Sequence, residues 1–309
     1  MPPIDRTCDE SLAAPYLRKD INLGTVLNLP RGSLGYRASL AEQLKMLKAA
    51  GHVAANSWGQ YQEVLAAGMR ATGMERITHT GQADEIARTH KALGMDATAL
   101  HVGNSFETDP EMDALVASVL EASAKHGYPL YIETHRGTIT QDIRRTVDMV
   151  QRFPDVRFNA DMSHFYTGHE LNYAGEFRQR LEWLAPVLER VRFMHGRISN
   201  TGCIQAPVHD TGIYVGHFAI MWQRCFEGFL RGAQPGDYLS FNAEILPLRI
   251  GTGEDTLWLH YAQQRPALPD DPLEGEPSDR YLEAQYLWDI ASQAFADAQA
   301  TVSQENTVK

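Results

Sequence analysis

The chain has 309 residues, 22% of them charged and 43% hydrophobic, with a formal net charge of −11. That charge argues against a nucleic-acid binder, whose partner demands clustered cations. The sequence also shows no apolar run of the roughly 20 residues that cross a bilayer and no basic-then-apolar leader, so a cytoplasmic enzyme is expected. Cys8, Cys203 and Cys225 are odd in number and lack CxxC spacing, which argues against a disulfide framework or a zinc ribbon. No lysine lies between Lys125 and Lys309, so Schiff-base chemistry has no nucleophile in the second half.

Short β-branched or aromatic runs alternate with amphipathic stretches along the whole chain, the pattern of βα units around a parallel sheet. The first strand is expected at 24–29, followed by a helix from Ser39 to Ala50 with Ser39 and Glu42 as a capping box. Strand two is expected at 52–57 with a helix over 60–72. Strand three follows at 75–80, with a helix opened by Asp84 and closed at Gly94. Strand four (97–102) precedes a helix over 110–126 stopped by Gly127, and strand five (129–133) one over 140–152. Strand six (156–161) leads to a helix near 176–189, and strand seven (191–195) to one over 217–231. Strand eight (238–245) and a helix over 278–298 finish the series. Eight repeats imply an α/β fold, a single-domain (β/α)8 TIM barrel over 21–300, with an N-terminal extension (1–20) and a C-terminal tail (301–309). The GxGxxG fingerprint of a doubly wound sheet is missing after the first strand.

In such barrels chemistry sits where strands end and βα loops begin. Those positions hold His79, His101, Glu133-Thr134-His135-Arg136, Asp161 with His164, His195 with Arg197, and Glu244. Glu133, Asp161, His195 and Glu244 come from four consecutive strands at equivalent depth and can converge on one point. Three carboxylates so crowded repel one another unless a cation joins them. Three oxygen ligands and one imidazole suit a single divalent ion: Mn2+ first, with Mg2+, Co2+ or Zn2+ as alternatives. A lone residue of any of these types at a strand end is ordinarily structural, and Glu or Asp there is often a helix N-cap. Four at one register are hard to obtain by chance.

With these residues the chain resembles the xylose-isomerase-like barrels, the sugar-phosphate isomerase and epimerase superfamily, over about residues 20–300. The resemblance implies that Glu133 and Glu244 are metal ligands that double as acid and base, and that His164 and Arg197 position substrate. His101 and His135 complete the expected substrate-binding set. His135 is open between a fifth ligand, a general acid and a hydrogen-bond donor to a ligand, the last preferred. The expected activity is isomerisation or epimerisation of a small sugar or polyhydroxy carbonyl compound, by metal-assisted proton transfer through an enediolate. The first alternative is a metal-dependent lyase or dehydratase on a keto-sugar, suggested by His135, Arg136 and the long loop 198–216 with His209 and Asp210. A hydrolase comes next, and a non-catalytic sugar-binding barrel is the alternative from another class. The glycines of 249–253 read as a plain turn, 266–277 as an exposed loop, and 218–222 as core packing that could instead join subunits in a homo-oligomer.

Overall fold

The computed structural model describes residues 5–208, 212–250, 257–259 and 275–308. Eight parallel strands close into a barrel: β1 (Tyr16–Asn22), β2 (Ala54–Ser57), β3 (Arg70–Ile77), β4 (Thr98–Val102), β5 (Leu130–Glu133), β6 (Phe158–Ala160), β7 (Val191–Gly196) and β8 (Asp237–Ala243). Closure is made by β8, which pairs with β7 on one side and β1 on the other. A two-residue strand, Thr7–Cys8, runs antiparallel to the start of β8 and covers the base.

The helices are α1 (Leu40–Ala49), α2 (Tyr61–Ala66), α3 (Gln82–Ala92), α4 (Asp109–His126), α5 (Ile143–Arg152), α6 (Met162–Gly168), α7 (Phe177–Leu188), α8 (Ile213–Leu230) and α9 (Arg280–Val308). Ser39 and Glu42 form the expected capping box. Gly127 closes α4 at φ 58°, a left-handed conformation that costs glycine little. Phe218, Met221 and Trp222 are fully buried, Trp222 edge-on to Phe241 at 5.2 Å, so the apolar face of α8 packs inside the chain. Among the described residues no helix is long and apolar enough to cross a membrane.

Four expectations are corrected. The first strand is Tyr16–Asn22, not 24–29, so an extension ending at residue 20 would cut through a barrel strand. Residues Leu23–Val26 instead form a 3-10 turn. Buried Arg280 holds it, donating to the carbonyls of Gly24, Thr25, Leu27 and Asn28 at 2.6–3.1 Å. Residues 301–308 are not a tail but the end of α9, because its buried stripe (Leu287, Ala291, Ala294, Ala298) continues to Val302 at helical spacing. The helix after β2 ends at Ala66 and β3 starts at Arg70, so the expected helix over 60–72 is shorter. Of the 266–277 loop, the described part is not exposed polar chain: Glu276 is buried and pairs with Arg280 at 2.8 Å. His209, Asp210 and 251–253 lie outside the described residues.

Candidate active site

The C-terminal ends of the strands surround a cavity of about 650 Å³ lined by Asn22, Trp58, His101, Glu133, His135, Arg136, His164, Arg197 and Glu244, among others. Expected residues Glu133, Asp161, His164, His195, Arg197 and Glu244 meet at its floor, all buried. His101 and His135 form a wall, their rings 4.2 Å apart, and His135 lies 3.9 Å from the ring of His164. His79 is exposed and absent from this lining.

Strand alternation sets the convergence. Glu133 ends β5, and Asp161 follows β6 as the N-cap of α6. Its Oδ1 accepts from Ser163 N at 2.9 Å, while Oδ2 bonds the Arg197 guanidinium and lies 3.2 Å from His164 Nε2. Capping and site-building therefore coexist in one carboxylate. Arg197 also donates to Ser163 Oγ at 3.0 Å and stands 3.5 Å from Glu244 Oε1.

His195 is held by residues that strand-end reading overlooks. The Gly73 carbonyl can only accept, so the Asn56 amide turns its Nδ2 toward it, at 3.1 Å, and presents Oδ1 to His195 Nε2 at 3.1 Å. His195 Nε2 therefore carries the proton, and Nδ1 faces the carboxylates, 2.9 Å from Glu244 Oε2 and 3.5 Å from Glu133 Oε2. Asn159 donates its Nδ2 to Glu133 Oε2 at 2.9 Å and lies 3.2 Å from that Nδ1. Asn159 and Asn242 sit two residues before Asp161 and Glu244, so the period of two puts them inside the barrel beneath the acids. That spacing was a usable signal; Asn56 offered none without the third dimension.

The electrostatics are one-sided. Burial alone would lower the His195 pKa, but Glu133 and Glu244 reverse this and push it up to about 10. Burial alone would raise Glu133, yet His101 and His195 hold it well below the usual carboxylate range. Asp161 is likewise depressed: Arg197 and His164 outweigh its burial. Buried Glu244 Oε2 lies 2.9 Å from His195 Nδ1, and the raised pKa makes the two an imidazolium–carboxylate pair. Ligand-type atoms of Asp161, His195 and Glu244 lie within 4.8 Å of one another, as do those of Glu133, Asp161 and His164. A carboxylate oxygen and an oriented imidazole nitrogen that share one proton are a donor set that fits a divalent cation, which would displace that proton.

No family model matches the chain, and no curated protein matches it by sequence. Solved structures match it by fold. A sugar phosphate isomerase/epimerase from Parabacteroides distasonis is 12% identical, with 92% of this chain and 96% of that one covered at a TM-score of 0.50. A xylose isomerase-like TIM barrel protein from Mycobacterium smegmatis, solved with magnesium, is also 12% identical, covering 93% and 98% at a TM-score of 0.50. At such identities the likeness is one of architecture, and the chain has the fold of the xylose-isomerase-like TIM barrels.

Proposed function

We propose that this barrel is a divalent-metal-dependent isomerase or epimerase of a small sugar or other polyhydroxy carbonyl compound. The observation that carries the reading is the pairing, at 2.9 Å, of Glu244 Oε2 with a His195 Nδ1 that Asn56 turns toward it. Glu133, Asp161, His195 and Glu244 would hold the metal, with Mn2+ the first choice; the magnesium of the Mycobacterium smegmatis neighbour makes Mg2+ the next. When bound, a divalent ion supplies the positive charge that stabilises an enediolate and acidifies the C–H between two neighbouring substrate oxygens.

The protein's own groups would do the rest. Glu133 and Glu244 stand on β5 and the end of β8, either side of the β6 and β7 residues, and both reach the neighbourhood of His195 Nδ1. Two carboxylates so placed can remove a proton from one substrate carbon and return it to that carbon or its neighbour. His164 and Arg197, fixed through Asp161, would orient substrate hydroxyls. The ring wall of His101 and His135 would pack against the substrate.

The test is turnover in D2O with the Mn2+-loaded enzyme over a panel of small ketoses and aldoses. Deuterium should enter one carbon of substrate or product, and Glu133→Gln or Glu244→Gln should slow this by about 10²-fold. Asp161→Ala and His195→Ala should each lose the metal by elemental analysis while keeping the fold. Full occupancy in both of these variants, or near-normal exchange in both glutamine variants, would sink the reading.

A further inference from the structure

Arg136 is the cation in this mouth that the chemistry above leaves unused. It sits at the apex of the loop after β5 and lines the cavity beside His135 and Gly137. The loop beneath it is rigidly held. Thr140 Oγ1 accepts from His135 N at 2.9 Å and donates to the Glu133 carbonyl at 2.7 Å, and Thr138 Oγ1 donates to the His135 carbonyl at 2.9 Å. Ile139 is buried behind them. The backbone therefore fixes where the Arg136 side chain leaves the loop, and among the described residues that exposed side chain makes no hydrogen bond or ion pair.

Its neighbour Arg197 shows the contrast, since that guanidinium is fully engaged by Asp161, Ser163 and His164. Asp161 and Glu133 take their donors from elsewhere, and Asp161 attracts Arg136 without bonding it. In a chain of net charge −11, an unpaired guanidinium at the rim of a small-molecule cavity is a group kept available for an anion. Arg136 is exposed at the rim, and desolvation with the nearby Arg197 charge lowers its pKa against the opposing pull of Asp161.

We propose that the substrate is a polyhydroxy acid, and that Arg136 binds its carboxylate at the end remote from the reacting carbons. This rests on the isomerase reading for the identity of the site as a sugar pocket. The planar fork of one guanidinium matches one carboxylate in bidentate fashion. A phosphate dianion calls for more donors, and the other arginine among the described lining residues is already committed.

The experiment is calorimetric titration of the Mn2+-loaded protein with matched pairs, D-glucuronate against D-glucose and D-galacturonate against D-galactose, with D-glucose 6-phosphate as the competing anion. At least one acid should bind about 10- to 100-fold more tightly than its neutral partner, the range of a charge-assisted bidentate contact. Arg136→Gln should bring that ratio close to one, and Arg136→Lys should keep part of it. The proposal is overturned if no acid outbinds its neutral partner, if the preference survives in Arg136→Gln, or if the phosphate ester outbinds the acids. Repeating the titration with the metal chelated separates the two readings. A preference that needs Arg136 but not metal, without deuterium exchange, removes the isomerase reading and leaves the anchor. Metal-dependent sugar binding without acid preference does the reverse.

Discussion

Two buried clusters of ionisable groups occupy opposite ends of the barrel, and they are built on opposite principles. At the base, Arg18 and Asp20 on β1 meet Asp96 before β4 and Arg70 at the start of β3. Arg18 Nε lies 2.9 and 3.0 Å from the Asp20 oxygens, its Nη1 lies 2.6 Å from Asp96 Oδ2, and Arg70 Nε is 2.8 Å from Asp96 Oδ1. Two cations face two anions, and Tyr238 packs its ring 4.0 Å from the Arg18 guanidinium. At the mouth, three carboxylates, Glu133, Asp161 and Glu244, face two cations, Arg197 and the His195 imidazolium. A cluster whose charges close on themselves braces a fold. One that leaves an excess of negative charge against a cavity is built to receive a cation.

The sharpest way to break this contrast is to remove one acid from each end. Asp20 accepts from Arg18, Ser240 and the backbone of Ala54. Asp20→Ala leaves Arg18 buried with half its compensation and should cost about 3–5 kcal/mol in urea unfolding, while Arg18→Met combined with Asp20→Leu should recover much of that. Glu244→Gln, by contrast, relieves like-charge crowding and should change stability by less than about 1 kcal/mol, although it slows the proposed proton transfer. An Asp20→Ala protein as stable as the wild type, or a Glu244→Gln protein that fails to fold, would dissolve the distinction.

A smaller effect separates the ends by pH. His52 is buried with Nδ1 3.2 Å from the Asp20 carbonyl, and burial together with Lys19 pushes its pKa down from 6.5 to about 4. The unfolded chain regains the ordinary value and binds more protons between those limits. The stability contributed by a neutral His52 is therefore complete above about pH 6.5 and is lost as pH falls toward 4, by about 3 kcal/mol. Urea midpoints at pH 7 and 4.5 should converge in His52→Leu relative to wild type. An unchanged pH slope in that variant would show that acid sensitivity lies elsewhere.

The two ends also differ in how much of them could be read from the sequence. The mouth was legible because a strand end is a local feature. Glu133, Asp161, His195 and Glu244 each close or follow a recognisable run, and the structure gathers all four. The base was not legible. Arg18-Lys19-Asp20 reads as the end of an N-terminal extension, because the ion pairs that let a barrel strand bury these charges come from residues distant in sequence. The apolar run at 24–29 misled for the complementary reason, since its backbone is satisfied by Arg280, more than 250 residues away. Asn56 escaped for the same cause: its amide has a direction only because the carbonyl of Gly73, on the next strand, imposes one.

His135 offers the finest test, because it separates a group that shapes the mouth from one that supports a ligand. It was expected to donate a hydrogen bond to a metal ligand. Its Nδ1 instead accepts from the Gly137 backbone N–H at 3.0 Å, and its ring lies between those of His101 and His164. Among the described residues it makes no hydrogen bond to Glu133, Asp161, His195 or Glu244. Loss of such a bond typically weakens metal binding by roughly 10–100-fold. His135→Ala should stay below that range, near threefold, and should raise KM more than it lowers kcat, because the wall that packs against substrate is gone. His135→Phe restores a flat ring without the nitrogens and should recover most of the loss. If His135→Ala instead leaves deuterium exchange at carbon intact but abolishes loss of water or alcohol from a substrate with a β-leaving group, the imidazole is a general acid. The barrel would then be a lyase, and mass analysis of the product decides between the two.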